Sequence, residues 1–214
     1  MIIDSLPKKI AVFPLSHAIF FPRTILPLNI FEKRYIELVN DSMKGQRLFG
    51  MIQPKLKVNS SIKVYEVGCL GKIISFDETN DRRFIIRLSG ISRFKIKKEL
   101  TTNKLYREFE VDYSKFAGDL NIINLEKEKY NEQKLLNKIN LFFKRKNYLL
   151  ELNELKKLNF DQLISTICMI SPFSIEEKQK LIETIKLEDK IKILEEIIDF
   201  DLLDNINTEV KTIQ

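Results

Sequence analysis

All six glycines of this 214-residue chain (Gly45, Gly50, Gly68, Gly71, Gly90 and Gly118) precede residue 119, and so do five of its six prolines. Only Pro172 falls in the remainder. Glycine and proline serve turns and bulges and are penalised inside helices. The front of the chain is therefore expected to be turn-rich and built of strands, and the back to be helical. That makes an α+β protein with domains at 1–118 and 119–214. Charge divides at the same place. Residues 1–118 carry 21 basic and 12 acidic side chains, a net +9, whereas the back half is mildly acidic. No low-complexity linker marks the join, so the halves are expected to pack together.

Short apolar runs between turn signals place strands at residues 10–15, 47–53, 70–76, 82–89, 91–97 and 106–113. The polar run 77–81 suits a hairpin loop between two of them. One helix interrupts the strands. Asn29 is expected to cap it with Glu32 reaching back, Tyr35, Leu38 and Val39 share its apolar face, and Gly45 ends it. Behind residue 119 the apolar spacing is helical. Leu135, Leu136, Ile139, Phe142 and Phe143 form one stripe, and Leu163, Ile164, Ile167 and Ile170 a second. Ser174 and Glu177 read as a capping box, and Ile191, Leu194, Ile197 and Ile198 give the last stripe. Four or five such helices make a small bundle whose stripes are core packing.

Familiar catalytic signatures do not fit. Gly45 and Gly50 have phosphate-loop spacing, but Met51 stands where the lysine is needed. No two glycines are two apart, as a dinucleotide loop requires. One histidine and two cysteines fall short of a four-ligand zinc site, so neither metal nor cofactor is expected. His17 has no nucleophile elbow near it and reads as a structural or surface residue. Cys69 and Cys168 read as small buried hydrophobes. The carboxylate pairs Asp77-Glu78, Glu176-Glu177 and Glu195-Glu196 are sequence neighbours and cannot flank a cleft. No apolar run approaches the ~18–20 residues that span a bilayer. The start has no apolar core after a basic end, so no secretory signal, no membrane partner and a cytoplasmic site are expected.

Strand 91–97 is expected to place Arg93, Lys95 and Lys97 on one face, and Arg83 and Arg87 share a face of the strand before it. Such a ribbon could follow a phosphate backbone. Glu108, Glu110 and Asp112 on the next strand offer a neutral alternative, as cross-strand partners of the basic residues.

Residues 10–35 resemble the opening of the Lon protease N-terminal domain, the LON substrate-binding domain. The match rests on Phe13-Pro14-Leu15, on Pro22 before an apolar run, and on Leu26-Pro27-Leu28-Asn29-Ile30-Phe31-Glu32-x-Arg34-Tyr35. Val67-Gly68-Cys69-Leu70-Gly71-Lys72-Ile73 and Leu88-Ser89-Gly90-Ile91-Ser92-Arg93-Phe94 follow in order. So does the tail, with Ser171-Pro172-Phe173 and Glu177-Lys178-Gln179. The resemblance implies a β-rich pseudo-barrel of PUA-like, Lon N-terminal type with one inserted helix, followed by a C-terminal helical bundle. It implies a non-catalytic module binding unfolded or exposed peptide segments or a protein partner. In full-length Lon this region engages substrate proteins and helps assemble the ring, with the ATPase and Ser–Lys protease domains downstream. An RNA- or nucleotide-binding role through the basic front half is the alternative.

Pro14, Pro22 and Pro27 are expected to bend the chain at a barrel rim, and Glu32 and Arg34 to flank the helix start, Arg34 pairing with a loop carboxylate. Together with Tyr35, Gly68, Gly90 and Arg93 they read as the residues that hold the fold. Adjacent aromatics in an extended segment cannot both face inward. Phe20 and Phe21, beside Arg23, are therefore the candidate peptide contacts.

Overall fold

Alternating burial writes the first strand directly: β1 (Lys9–Pro14) turns Ile10 and Val12 inward. In this computed structural model residues 3–16, 18–55, 63–121 and 131–209 are described, the side chains of 204–209 excepted. His17 lies outside the described residues. They divide into two units, Met1–Ile122 and Ile123–Gln214.

In the first unit β1 is followed by β2 (Ile25–Ile30), α1 (Lys33–Lys44), β3 (Leu48–Ile52), β4 (Val67–Glu78), β5 (Phe84–Leu100) and β6 (Arg107–Asp112). β1 and β3 are parallel, with Val12 opposite Gly50, while the other pairings are antiparallel. The strand order is β2-β5-β4-β3-β1-β6, and β6 pairs again with β5. The 17-residue β5 makes this return possible. Its first part runs between β2 and β4, and its last part lies beside β6. Register shifts at Leu70/Gly71, Ile73/Ser75 and Ile96/Lys98 bend the sheet where it turns, the usual effect of an extra residue on one strand. The expected strands 82–89 and 91–97 are thus one strand that runs through Gly90 without a break.

The pseudo-barrel core gathers Leu6, Ile10, Val12, Ile52, Leu70, Phe94, Phe109, Val111 and Tyr113. Phe94 is fully buried, which contributes about 1.5–3 kcal/mol for a side chain of this kind. α1 closes one flank by laying Tyr35, Leu38 and Val39 inward, and the Tyr35 ring stacks on Phe13 at 3.9 Å between centroids.

The start of α1 corrects the expected capping box. Leu28 and Ile30 are buried opposite Ile86 and Phe84, so strand periodicity holds as far as Ile30 and keeps Asn29 within β2. The helix begins later, after Glu32, whose side chain caps no amide. Its carboxylate instead accepts from Arg34 Nε at 3.0 Å and Nη2 at 2.8 Å, so the loop carboxylate expected to pair with Arg34 is Glu32, in the connection between β2 and α1. Pro27 sits inside β2 rather than at a strand end. It is tolerated there because β2 pairs with β5 alone among the described strands.

The second unit is helical. It comprises α2 (Glu132–Arg145), the short α3 (Leu152–Leu155), α4 (Phe160–Ile170), α5 (Ile175–Glu183) and α6 (Leu187–Glu209). The Asn131 and Asn159 side chains accept from the Lys134 and Gln162 amides and so cap α2 and α4. The expected box opening α5 is complete: Glu177 N–H donates to Ser174 Oγ, and Ser174 N–H to Glu177 Oε2. Leu135, Leu136, Ile139, Phe142 and Phe143 are buried as one stripe, and Phe142 meets Phe173 at 5.4 Å. Between α2 and α6, Lys138 bridges Asp199 at 2.9 Å and Glu195 at 3.6 Å.

Candidate partner-binding surface

The aromatic pair expected at the surface is in the core. Phe20 and Phe21 are 2% and 0% exposed. The rule that adjacent side chains point apart holds for extended backbone, and this segment is a turn. The Thr24 amide and hydroxyl both donate to the Phe21 carbonyl, and Arg23 takes a positive φ of 62°. The Arg23 amide donates to the Gly90 carbonyl at 2.9 Å, and its Nη1 to the Asp119 carbonyl at 2.5 Å. That side chain fastens the turn to the 3-10 segment Ser114–Leu120. Neither phenylalanine presents a contact to a partner.

The basic ribbon is broken in the same way. Arg93 is buried against Asp119, with Nη2 to Oδ1 at 2.7 Å and its guanidinium over the Phe116 ring. Lys95 pairs with Glu66 at 3.3 Å, and Arg83 with Asp81 at 2.7 Å. Lys97 stays exposed near Asp112, whose carboxyl is held below its ordinary range by the Ser114 hydroxyl and amide, with Lys97 adding to them. Of the carboxylates expected as cross-strand partners of this ribbon, Asp112 does lie opposite Lys95, whereas Glu108 turns to another strand. Glu108 bridges Lys9 at 3.2 Å, because β6 lies between β1 and β5. Of the five basic positions, only Lys97 and Arg87 carry no ion pair among the described residues.

A shallow recess of about 220 Å³ lies beside α1, lined among others by Pro7, Ala11, Gln46, Asp41 and Tyr106. It is smaller than the usual ~300–1,000 Å³ of ligand pockets. Its central polar group is already engaged. Asp41 accepts from Lys104 at 2.6 Å, Lys44 at 3.1 Å and the Tyr106 hydroxyl at 3.0 Å. These bonds, Lys104 foremost and Lys44 next, hold the Asp41 carboxyl down to about 2, while burial and then the bond to Asp41 push the Tyr106 hydroxyl up. The arrangement ties the 101–106 loop to α1.

Neither cysteine is an activated thiol. Cys69 and Cys168 are buried, and burial pushes the Cys168 thiol up to about 12, so it stays protonated at neutral pH. Among the described residues no group of three or more His, Cys, Asp or Glu could hold a metal ion, and no helix is long and apolar enough to cross a membrane.

The surface that sequence reasoning missed is the outer face of β2, β5 and β4. Register places Ile25, Ser89 and Lys72 in one row, Pro27, Arg87 and Ser75 in the next, and Asn29, Ile85 and Asp77 in the third. Ile74 sits at the bulge before Ser75. Ile25, Ile74 and Ile85 are 42%, 49% and 47% exposed. Isoleucines scattered singly over a surface need no explanation, but three on one face of three neighbouring strands form a patch. Their signal was the strict alternation of 84–88, where Phe84, Ile86 and Leu88 point inward and leave Ile85 and Arg87 outside.

Comparison with known proteins places this architecture. The family model described as the ATP-dependent protease La (LON) substrate-binding domain matches residues 9–199. Among curated proteins, the Lon protease of Dictyoglomus thermophilum is 24% identical over 222 residues, covering 97% of this chain and 27% of that protein. The Lon protease of Malacoplasma penetrans is 29% identical over 210 residues, covering 90% and 25%. The chain thus spans about a quarter of the length of these curated relatives. Among solved structures, the N-terminal domain of a Mycobacterium avium complex Lon protease superposes with a TM-score of 0.62 at 12% identity, over 90% of this chain and 98% of that one. A Lon N-terminal domain protein from Xanthomonas campestris gives 0.59 at 18% identity, over 89% and 97%. At these identities the two structures bear on the fold.

Proposed function

Because this chain belongs to the LON substrate-binding domain family, we propose that it is a non-catalytic module that binds exposed peptide segments of unfolded or partner proteins. It acts in the cytoplasm as an adaptor-like part of protein quality control. The observation that carries this reading is the outward apolar patch of Ile25, Ile74 and Ile85, which strand register gathers on one face, whereas the unit's other exposed large apolar side chains among the described residues, Phe31 and Leu105, lie outside the strands. An unfolded chain offers apolar side chains in extended form, and such a patch removes them from water at about 25 cal/mol per Å² buried. Support for the binding role comes from the family match, whose model is described as the substrate-binding domain of the ATP-dependent protease La.

The test is binding of a reduced and alkylated unfolded protein, compared with its native form, to this chain and to an Ile25→Ser/Ile85→Ser variant. Selective binding of the unfolded form, weakened about ten-fold by the double change (~1.4 kcal/mol) with thermal unfolding unaltered, supports the reading. Equal binding of both variants removes the patch from the proposal, and no binding of the unfolded protein removes the function.

A further inference from the structure

Resting on the peptide-binding reading above, we propose that the outer face of β2, β5 and β4 selects extended apolar segments carrying an acidic side chain, with Arg87 as the receptor for the carboxylate. Arg87 occupies the middle row of the face, opposite Pro27 on one side and Ser75 on the other, with exposed isoleucines at Ile25, Ile74 and Ile85 around it. Elsewhere in the unit arginines meet carboxylates where one is within reach: Arg34 with Glu32, Arg83 with Asp81, Arg93 with Asp119, and Arg107 with Glu99. The Arg87 guanidinium and the Lys72 ammonium make no ion pair or side-chain hydrogen bond among the described residues.

A guanidinium with Pro27 and exposed isoleucines among its neighbours keeps its planar donor fork, and a carboxylate is the group that fills such a fork with two parallel bonds. The neighbouring isoleucines take the apolar side chains on either side of that carboxylate. Nucleic acid fits less well, because it needs a continuous track of cations and the third row of this face carries Asp77. The ligand lies on the face rather than extending the sheet, since Pro27 deprives the β2 edge of an amide donor.

The experiment measures, by fluorescence anisotropy at low salt, the affinity of the full chain for two short peptides of alternating leucine and serine, identical except for a central aspartate or asparagine. The unfolded protein of the preceding section is run in parallel. The aspartate peptide should bind about five-fold more tightly, the size an exposed arginine–carboxylate pair supports. That advantage should vanish in Arg87→Gln and persist in Arg82→Gln, whose residue is also exposed but lies in the hairpin turn. Equal affinities in the unaltered chain, an undiminished advantage in Arg87→Gln, or binding of the unfolded protein with neither peptide bound would each overturn Arg87's role while leaving the broader function standing. Failure of the unfolded protein and both peptides to bind defeats both readings. Single-stranded RNA bound in a manner that Arg87→Gln abolishes would overturn the peptide assignment and give the face to nucleic acid.

Discussion

Asp119 receives Arg93 at three points: the backbone amide at 2.8 Å, Nε at 2.9 Å and Nη2 at 2.7 Å. Both side chains are under a tenth exposed. The pair joins the middle of β5 to the 3-10 segment, and Arg23 reaches the Asp119 carbonyl from the other side. A buried ion pair contributes little against a well-packed apolar substitute, but removing one member strands the other charge away from water. Asp119→Ala should therefore lose about 3–5 kcal/mol of unfolding free energy. Urea denaturation measures this. A loss below ~1 kcal/mol, the value of an exposed pair, would show that Arg93 escapes to solvent.

Gly90 is where the uninterrupted β5 meets the 21–24 turn. A Cβ built there would collide with the Phe21 carbonyl oxygen and crowd Pro22 Cα at 3.1 Å, both of them backbone neighbours. A flexible side chain could move aside, whereas this turn is held by the Arg23–Gly90 and Gly90–Thr24 bonds. Gly90→Ala should cost at least ~1–3 kcal/mol, the range for forcing one extra carbon into a packed site. Gly118→Ala meets nothing within 4 Å and provides the contrast. It should be neutral or stabilise by up to ~1 kcal/mol through the unfolded chain. Similar losses for both, in the same denaturation assay, would contradict this reading of Gly90.

Much of the fold was legible because it rests on periodicity. The stripe from Leu135 to Phe143 and the capping box at Ser174 are local, and local rules sufficed. The failures share a cause. Asn29 looks like a helix cap until β5 is known to lie alongside it, and Phe20 and Phe21 look half exposed until Thr24 and Gly90 are seen to fold their backbone into a turn. Arg93 shares its strand's parity with Lys95, yet its guanidinium goes to a carboxylate 26 residues further on. Pairings between distant segments leave no periodic trace. The patch of Ile25, Ile74 and Ile85 was hidden for the same reason, since three single residues become one surface only through strand register.

The second unit offers a local test. Ser174 Oγ takes the Glu177 amide at 3.2 Å, and Glu177 Oε2 takes the Ser174 amide at 2.8 Å, so two otherwise orphaned donors of α5 depend on one pair of side chains. Ser174→Ala should destabilise by about 1 kcal/mol, and Ser174→Asp, which retains an acceptor, by much less. Hydrogen exchange at the Ile175, Glu176 and Glu177 amides should accelerate in the alanine variant while α2 stays protected. Unchanged exchange at those positions would mean that the cap is redundant.

Asp41 gives the unit a pH dependence of definite sign. Its carboxyl is held at about 2 in the fold, first by Lys104 and then by Lys44, below the ~3.9 of an unfolded chain. A carboxylate whose pKa falls on folding stabilises above its unfolded value and loses that contribution as the pH drops through its folded one. Wild type should therefore exceed Asp41→Asn in melting temperature at neutral pH. The gap should narrow below about pH 4 and close near pH 2. The Asp41 side chain is 24% exposed, so added salt should also shrink the gap at neutral pH. Thermal unfolding of both proteins across that range decides the matter. A gap that stays constant with pH would mean that the loop carrying Lys104 and Tyr106 is held by packing and not by this carboxylate.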